Sequence, residues 1–586
     1  MVSSKFRKQL QPVVTTLFVL ALAFIATYPA FSGHYFAINN DGSIHLARLE
    51  SLYQAFKAGR LPSLVNFIGF GNQGVAMNAM YPWLTMMIYV IPRFILHNPM
   101  SGLAAGFLIM NIITTVNTYW LAKYLGRNRL IIWLGVITYQ FNAYHFQLMY
   151  TRVALGEAFG YAFLPLVMLG MFKIWNHEKN GIILLALGMS LVANSHVLSL
   201  VMFAGLIIIF EIIRLVFRKI TFSEVKSLFA GAGLALLMAS YSLYNVVSWM
   251  LHNKMVSPTP TLYALDPARE FTKIITNDIS ESAIGAHMGI ALMLIMLFLV
   301  GQLLVHAKGS WQYWIIGATT VFVLAQNWFQ SEALINTPAM LIQFTMRFIT
   351  IVAVCVSISL ILYLNQINWH SRPAAIFMSL VVVAIGLAGV IHFHSQNKTD
   401  YQWAQTHQQP NNLVQRRDIR HLTRKNYYRN VNLMTLPDYH MKKLDGTQDI
   451  ASELKKDPGF GSANRLNKAT VNFDNRGASK FKATAATDQS VSFTYHQKKS
   501  AKTVKLPVIG YNNVNYQIKV NGRSVTYRRS QGQLKVKVPK GHSKIVVSIA
   551  NNSRHGWVLL ITFLTYVVAL MLLGLANRSK LSSEQS

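Results

Sequence analysis

Cysteine is almost missing from this chain of 586 residues; the one Cys, at position 355, lies within an apolar run. A single thiol closes no intrachain disulfide and offers no partner for a thiolate metal site, so Cys355 reads as packing. Acidic residues are scarce as well, 21 Asp and Glu against 54 Lys and Arg, and charge of either sign supplies only 13% of the residues. There is no Gly-rich phosphate loop, no Cys/His zinc spacing, no nucleophile elbow, no internal repeat and no low-complexity tract. Nucleotide, zinc and serine-hydrolase readings therefore have no motif to stand on.

What the chain has is apolar sequence, 52% of its residues, in repeated runs of roughly 15–22. That pattern predicts a polytopic α-helical membrane protein. Candidate spans are 12–32, 101–122, 129–144, 158–174, 181–194, 197–213, 226–249, 286–305, 311–326, 345–364, 373–392 and 556–576. The N-terminus has the basic start of a signal peptide (Lys5, Arg7, Lys8), but its apolar stretch is long and Tyr28-Pro29-Ala30-Phe31 makes a poor cleavage site, which predicts an uncleaved first span. Segment 82–96 is apolar but short and carries Pro92-Arg93. If it stays at the outer interface, the basic ends Lys123–Arg129, His177-Glu178-Lys179, Arg214–Lys219, His306-Ala307-Lys308, His370–Arg372 and Arg578–Lys580 all face inward. The positive-inside rule thus favours about twelve spans with both termini cytoplasmic.

That topology gathers polar residues on one outer side. The stretch Asn39-Asn40-Asp41-Gly42-Ser43-Ile44-His45-Leu46-Ala47-Arg48 follows the first span, with Asn40 as the expected N-cap of a helix ending near Lys57-Ala58-Gly59. Asp41, His45 and Arg48 fall at i, i+4, i+7 on one face. Leu46, Leu49, Tyr53 and Phe56 form a neighbouring face suited to lying on lipid. Arg152 and Glu157 flank Gly156, His196 lies at the apex between two apolar runs, and Arg347 opens a long span. Ionisable groups at membrane depth are costly and point to function, and an Arg fork suits a phosphate. Each alone also fits a bland role: a wet helix face, a structural ion pair, a hydrogen-bonded histidine, a snorkelling arginine. Tyr81-Pro82-Trp83-Leu84 reads as an aromatic membrane anchor. In loop 250–285, Asp266, Arg269, Glu270, Lys273, Asp278 and Glu281 mix signs without metal-ligand spacing.

From His394 to Arg554 the chain is polar, with about 29 Lys/Arg against about 9 Asp/Glu, a charge that seeks an anionic neighbour. No nucleic-acid motif accompanies it. From about residue 469 short alternating strands are expected: 469–473, 480–483, 490–495, 503–508, 516–520, 524–528, 534–538 and 544–549. Val520-Asn521-Gly522-Arg523 predicts a hairpin and Pro539-Lys540-Gly541 a turn. The domains expected are a transmembrane part over 1–393 with an outer loop at 33–100, an extracytoplasmic part over 394–554 ending in a β-sandwich, and a final helix with a cytoplasmic tail over 555–586.

Asp41-Gly42-Ser43-Ile44-His45-Leu46-Ala47-Arg48, Tyr81-Pro82, Arg152-Val153-Ala154-Leu155-Gly156-Glu157, Ser195-His196 and Gln343-Phe344…Arg347-Phe348 together resemble the YfhO-like bacterial membrane proteins. That family, some of whose members are labelled "6-pyruvoyl-tetrahydropterin synthase related", is similar to the GT-C glycosyltransferases. Lys519-Val520-Asn521-Gly522…Val538-Pro539-Lys540-Gly541-His542 resembles its closing β-domain. Pterin chemistry lacks the clustered histidines of a zinc site. Two motifs depart: Gln-Phe-Pro-Trp-Arg becomes Gln343-Phe344-Thr345-Met346-Arg347, and an Asp-Tyr-Leu-Pro element becomes Asp438-Tyr439-His440-Met441, leaving the role of Asp438 open. The resemblance implies inverting transfer of a sugar from a polyprenyl-phosphate donor to an envelope acceptor on the outer face of a bacterial membrane. The acceptor would be a lipid or an anionic, teichoic-acid-type polymer, which the basic outer domain could hold. Asp41 would be general base, or hold a divalent cation (Mg or Mn); Arg48, Arg152 and Arg347 would neutralise the leaving phosphate; His45 and Glu157 would orient them; His196 would contact sugar or phosphate. A flippase or exporter of a lipid-linked saccharide and a non-catalytic envelope scaffold are the competing classes.

Overall fold

The computed structural model describes residues 4–258, 262–280, 285–305, 308–328, 334, 337–406, 421–432, 438–443, 468, 471–474, 477–550 and 553–583. Glu281, His306, Ala307 and most of the stretch 407–467 lie outside the described residues. Among the described residues seven helices are long and apolar enough to cross a bilayer: Leu10–His34, Pro99–Leu125, Leu155–Trp175, Val197–Val216, Thr345–Gln366, Arg372–Thr399 and His555–Ala576. Phe222–Met238 and Ser240–His252 make an eighth if a pair bent by 72° is one span. The other four expected spans appear as shorter apolar helices, Arg129–Gln140, Asn180–Ala193, Ile290–Gln302 and Trp311–Leu324, of 12 to 14 residues. At 1.5 Å per residue such helices measure about 20 Å, less than a hydrocarbon core.

Leu155–Trp175 and Thr345–Gln366 form the centre, 94% and 89% buried over their most apolar stretches, whereas His555–Ala576 is 11% buried and packs at the edge. The last helix is nonetheless tied in by polar contacts. Tyr566 Oη donates to Ser190 Oγ at 2.9 Å, and Thr562 Oγ1 accepts from the Tyr241 N–H at 3.0 Å. Such hydrogen bonds hold helices together where lipid removes the hydrophobic drive to associate. Leu17, Phe24, Ile208, Phe377 and Phe563 are exposed on the outside of the bundle, as residues that meet hydrocarbon would be.

Segment 82–96 has both ends fastened to the same short helix. Arg48 Nη2, on helix Gly42–Lys57, donates to the Tyr81 and Pro82 carbonyls at 3.0 and 2.7 Å, and two residues further on Glu50 pairs with Arg93 at 2.5 Å. Its helix, Met87–Leu96, is only 10 residues long. Trp83 is buried and donates to Tyr241 Oη at 3.2 Å, so it is core and not the membrane anchor expected.

Helix Gly42–Lys57 itself departs from expectation in two ways. Its apolar face does not lie on lipid: Leu46 and Leu49 are buried, and Tyr53 and Phe56 are half-buried against the core, beside the rings of Phe94 and Trp83. Its cap is not Asn40, which sits in the left-handed region at φ 43°, but Asp41, whose side chain makes no capping bond. The helix ends where the sequence says, with Gly59 at φ +67° and the Arg60 N–H returning to the Ala55 carbonyl.

The polar region contains two open antiparallel sheets. Phe481–Ala486, Ser490–Gln497, Gly541–Ile549, Tyr516–Val520 and Arg523–Val525 pair in that spatial order; Tyr527–Ser530, Gln533–Val538 and Lys502–Ile509 form the second sheet. The hairpin expected at Asn521-Gly522 is present, with φ of 52° and 81°, the positive pair a type I′ turn needs. The strand expected over 524–528 is two strands, because the chain changes sheets at Thr526. The one expected over 469–473 is reduced, within the described residues 471–473, to a single bridge between Lys442 and Val471. This region docks on the segment that follows helix Gly42–Lys57. The Ile509 N–H donates to the Gln73 carbonyl, Tyr511 Oη accepts from the Ala76 N–H, and Arg60 pairs with Asp488.

Candidate functional site

The seven residues singled out in the sequence converge at one end of the bundle. Four helices place them there, all by their N-terminal ends. Asp41 precedes Gly42–Lys57, Glu157 lies in the first turn of Leu155–Trp175, His196 immediately precedes Val197–Val216, and Arg347 lies in the opening turn of Thr345–Gln366. The positive ends of four helix dipoles thus face one region, a setting that favours an anion.

Glu157 is the electrostatic centre. Its Oε2 accepts from Arg152 Nη1 and from Arg347 Nε, each at 3.2 Å, and its Oε1 accepts from Tyr144 Oη at 2.5 Å. All three charged side chains are more than nine-tenths buried. One carboxylate between two guanidinium groups leaves a net positive charge. Arg152 arrives by an unusual backbone: Gln147–Thr151 is a single wide turn, the Arg152 N–H bonds the Gln147 carbonyl, and Val153 sits at φ 53°. Left-handed backbone costs a β-branched residue energy, and such strain concentrates at functional sites.

Asp41 lies beside this triad, with its N–H donating to the Arg152 carbonyl at 3.3 Å. Its carboxylate is half-buried, and among the described residues none donates a hydrogen bond to it. Burial raises its pKa and Arg152 and Arg347 oppose the rise.

Arg48 and His45 are placed differently. Arg48, buried under the ring of Tyr81 at 4.1 Å, gives Nη2 to the Tyr81 and Pro82 carbonyls. His45 Nε2 accepts from the Leu155 N–H at 3.3 Å, and burial with Arg48 beside it holds the ring neutral, well below its ordinary pKa. These two fasten the first loop to the start of the central helix. His196, half-buried, bonds Ser199 Oγ through Nδ1 at 2.8 Å; burial and then Arg347 push its pKa down to about 3, so it too is neutral.

Three residues were not assigned to the site from sequence. Tyr81, read there as an anchor, stacks on Arg48 and stands 5.6 and 5.7 Å from the rings of His45 and His196. Its hydroxyl rests on Gly156, where an added Cβ would fall 2.2 Å away. Tyr144 had no sequence signal beyond a tyrosine near a span end. Asp438 is the third: burial and then the neighbouring Asp41 charge raise its pKa to about 7. The strap that carries it is pinned on both sides, with the Tyr439 N–H on the Val256 carbonyl, Tyr511 Oη on the Tyr439 carbonyl and His440 Nε2 against Gln73 Oε1.

Among the described residues no group of three or more His, Cys, Asp and Glu is arranged to hold a metal ion. Asp41, with Arg152 and Arg347 beside it, does not fit a protein-built cation cage, and no step below runs through a metal. No family model and no curated protein matches this chain.

Proposed function

We propose that this chain is a glycosyltransferase that moves a sugar from a polyprenyl phosphate to an envelope acceptor at the outer membrane surface. The reading includes twelve spans with both termini inside, and a polar region whose two sheets face each other as a sandwich. The observation that carries it is the pairing of an uncommitted carboxylate, Asp41, with the Arg152–Glu157–Arg347 cluster at four helix N-termini.

In the step proposed, Asp41 takes the proton of the acceptor hydroxyl as its oxygen bonds the anomeric carbon. The bond from that carbon to the phosphate oxygen breaks, and the electron pair leaves on the phosphate. Charge grows on that oxygen, where Arg152, Arg347 and the helix ends attract it most strongly. A site at helix ends, not at mid-membrane, suits a transferase better than a flippase.

The test is transfer of labelled sugar from a polyprenyl-phosphate donor by the purified, reconstituted chain. Asp41→Asn should lower transfer by about 10²–10⁴-fold with an unchanged melting temperature. Transfer at the wild-type rate by Asp41→Asn would sink the assignment.

A further inference from the structure

The solvent face of the five-stranded sheet carries two histidines that the cluster just described does not use. His542, on strand Gly541–Ile549, lies directly opposite His496, on strand Ser490–Gln497. Their ring centroids are 4.2 Å apart and their planes are inclined by 40°. The ladder explains this closeness. The Ile549 N–H bonds the Gln489 carbonyl, and opposite residues of an antiparallel pair alternate between hydrogen-bonded and non-hydrogen-bonded. Counted back through an unbroken register, Val547, Ile545, Ser543 and Gly541 bond across to the neighbouring strand, and His542 with His496 is a non-hydrogen-bonded pair. Side chains of such pairs stand closest. Tyr495, Ser543, Phe493 and Ile545 are buried on the other face, which anchors both strands and leaves both imidazoles in solvent.

The spacing suits a shared ligand. Neither imidazole has a hydrogen-bond or ion-pair partner among the described residues. A metal ion about 2.0–2.1 Å from one nitrogen of each ring, with its two bonds at a right angle, would set the ring centroids about 4.5 Å apart. The pair therefore needs only a small rotation of the rings to chelate. Asp488, the one acidic residue between 477 and 550, is buried and pairs with Arg60, so no carboxylate joins the pair. The donor set is two imidazoles, with water in the remaining positions. Calcium and magnesium take oxygen ligands, whereas imidazole suits copper, nickel and zinc, and Cu²⁺ heads the affinity order. Lys482 and Lys544 are on the same face, both paired with Thr494, and they repel a dication. They are exposed, and salt screens such charges over about 8 Å, so they weaken binding without closing the site.

We propose that His496 and His542 form a two-imidazole site for a divalent transition-metal ion, Cu²⁺ in preference to Zn²⁺. The ion would clip the two strands together one residue from Gly541 and Gln497, where their pairing begins. The site does not depend on the glycosyl-transfer reading.

Calorimetric titration of Cu²⁺ into the untagged full-length protein in detergent, with electron paramagnetic resonance of the product, tests this. The wild type should bind one Cu²⁺ ahead of any weaker sites, with a spectrum modulated by two imidazole rings. H496Q and H542Q should each bind it about tenfold more weakly or worse, because each loses the second arm of the chelate. His97, exposed at the end of helix Met87–Leu96, is the control, and H97N should change neither affinity nor spectrum. Both proposed ligands are exposed, and an unchanged melting temperature without metal would show that their variants fold. Equal Cu²⁺ affinity in the wild type and H496Q/H542Q would overturn the proposal. So would a spectrum of the wild type from a single ring, or tighter binding of Zn²⁺ than of Cu²⁺.

Discussion

Replacing Gly156 by alanine tests the architecture of the site with a single methyl group. The new Cβ would fall 2.2 Å from Tyr81 Oη and 2.7 and 2.8 Å from two ring carbons, so Tyr81 must retreat by about 1.2 Å to reach the 3.4 Å of ordinary contact. The ring cannot retreat alone. Arg48 stacks on it and bonds the Tyr81 carbonyl, and His45 bonds the Leu155 N–H next to the new methyl. Overpacking of this kind costs about 1–3 kcal/mol in stability. A displacement of about 1 Å between reacting groups costs about 10²-fold in rate. Sugar transfer and thermal unfolding, measured together in detergent, should show a modest fall in melting temperature and a fall in rate near that size. Adding Tyr81→Phe removes the closest atom and should recover part of both. Gly205→Ala is the control, since nothing lies within 4 Å of its Cβ. A Gly156→Ala protein as active as the Gly205→Ala control would refute the role given to the Tyr81–Gly156 contact.

Three further outcomes follow from the structure. Glu157→Gln leaves Arg152 and Arg347 buried without their shared anion and should cost about 3–5 kcal/mol in thermal unfolding, with Arg347→Gln in the same chain recovering part of it. Asp438 and Glu270 both have pKa values raised to about 7, chiefly by burial. The folded chain therefore holds these protons where an unfolded carboxyl has lost them; their stability contribution is full below about pH 4 and is lost as pH rises through 7. Asp438→Asn with Glu270→Gln should flatten the melting temperature's dependence on pH over that window, and an unchanged slope would contradict it. Gly522→Val forces a β-branched residue to φ 81° and should cost about 1–2 kcal/mol, read as earlier proteolysis of the polar region.

The fold was legible where its determinants are local. Seven long apolar helices follow from apolar runs, although four other such runs form helices of only 12 to 14 residues; the end of helix Gly42–Lys57 follows from Gly59, and the Asn521-Gly522 hairpin from the need for positive φ at two adjacent positions. A second hairpin, at Gln531-Gly532 with φ of 52° and 68°, passed unnoticed because glutamine carries little turn preference. The sheet change at Thr526 left no mark, since alternation continues across it. Of the site, the sequence singled out Asp41, Arg152, Glu157, His196 and Arg347 because ionisable groups stand out against apolar sequence.

By itself, then, the sequence determined a membrane-embedded helical chain with a strand-rich polar region, and a set of charged residues near span ends. Only the tertiary structure decided which of them meet and what each does there. Helix Gly42–Lys57 has an apolar face that would suit lipid, yet that face is buried in protein; hydrocarbon and a protein interior select the same side chains, so composition cannot tell them apart. Arg48 is turned toward two carbonyls, while Asp41 has no hydrogen-bond donor among the described residues and its charge acts on Asp438 from the far side of the chain. Those partners are fixed by packing between segments distant in sequence, which no local pattern records.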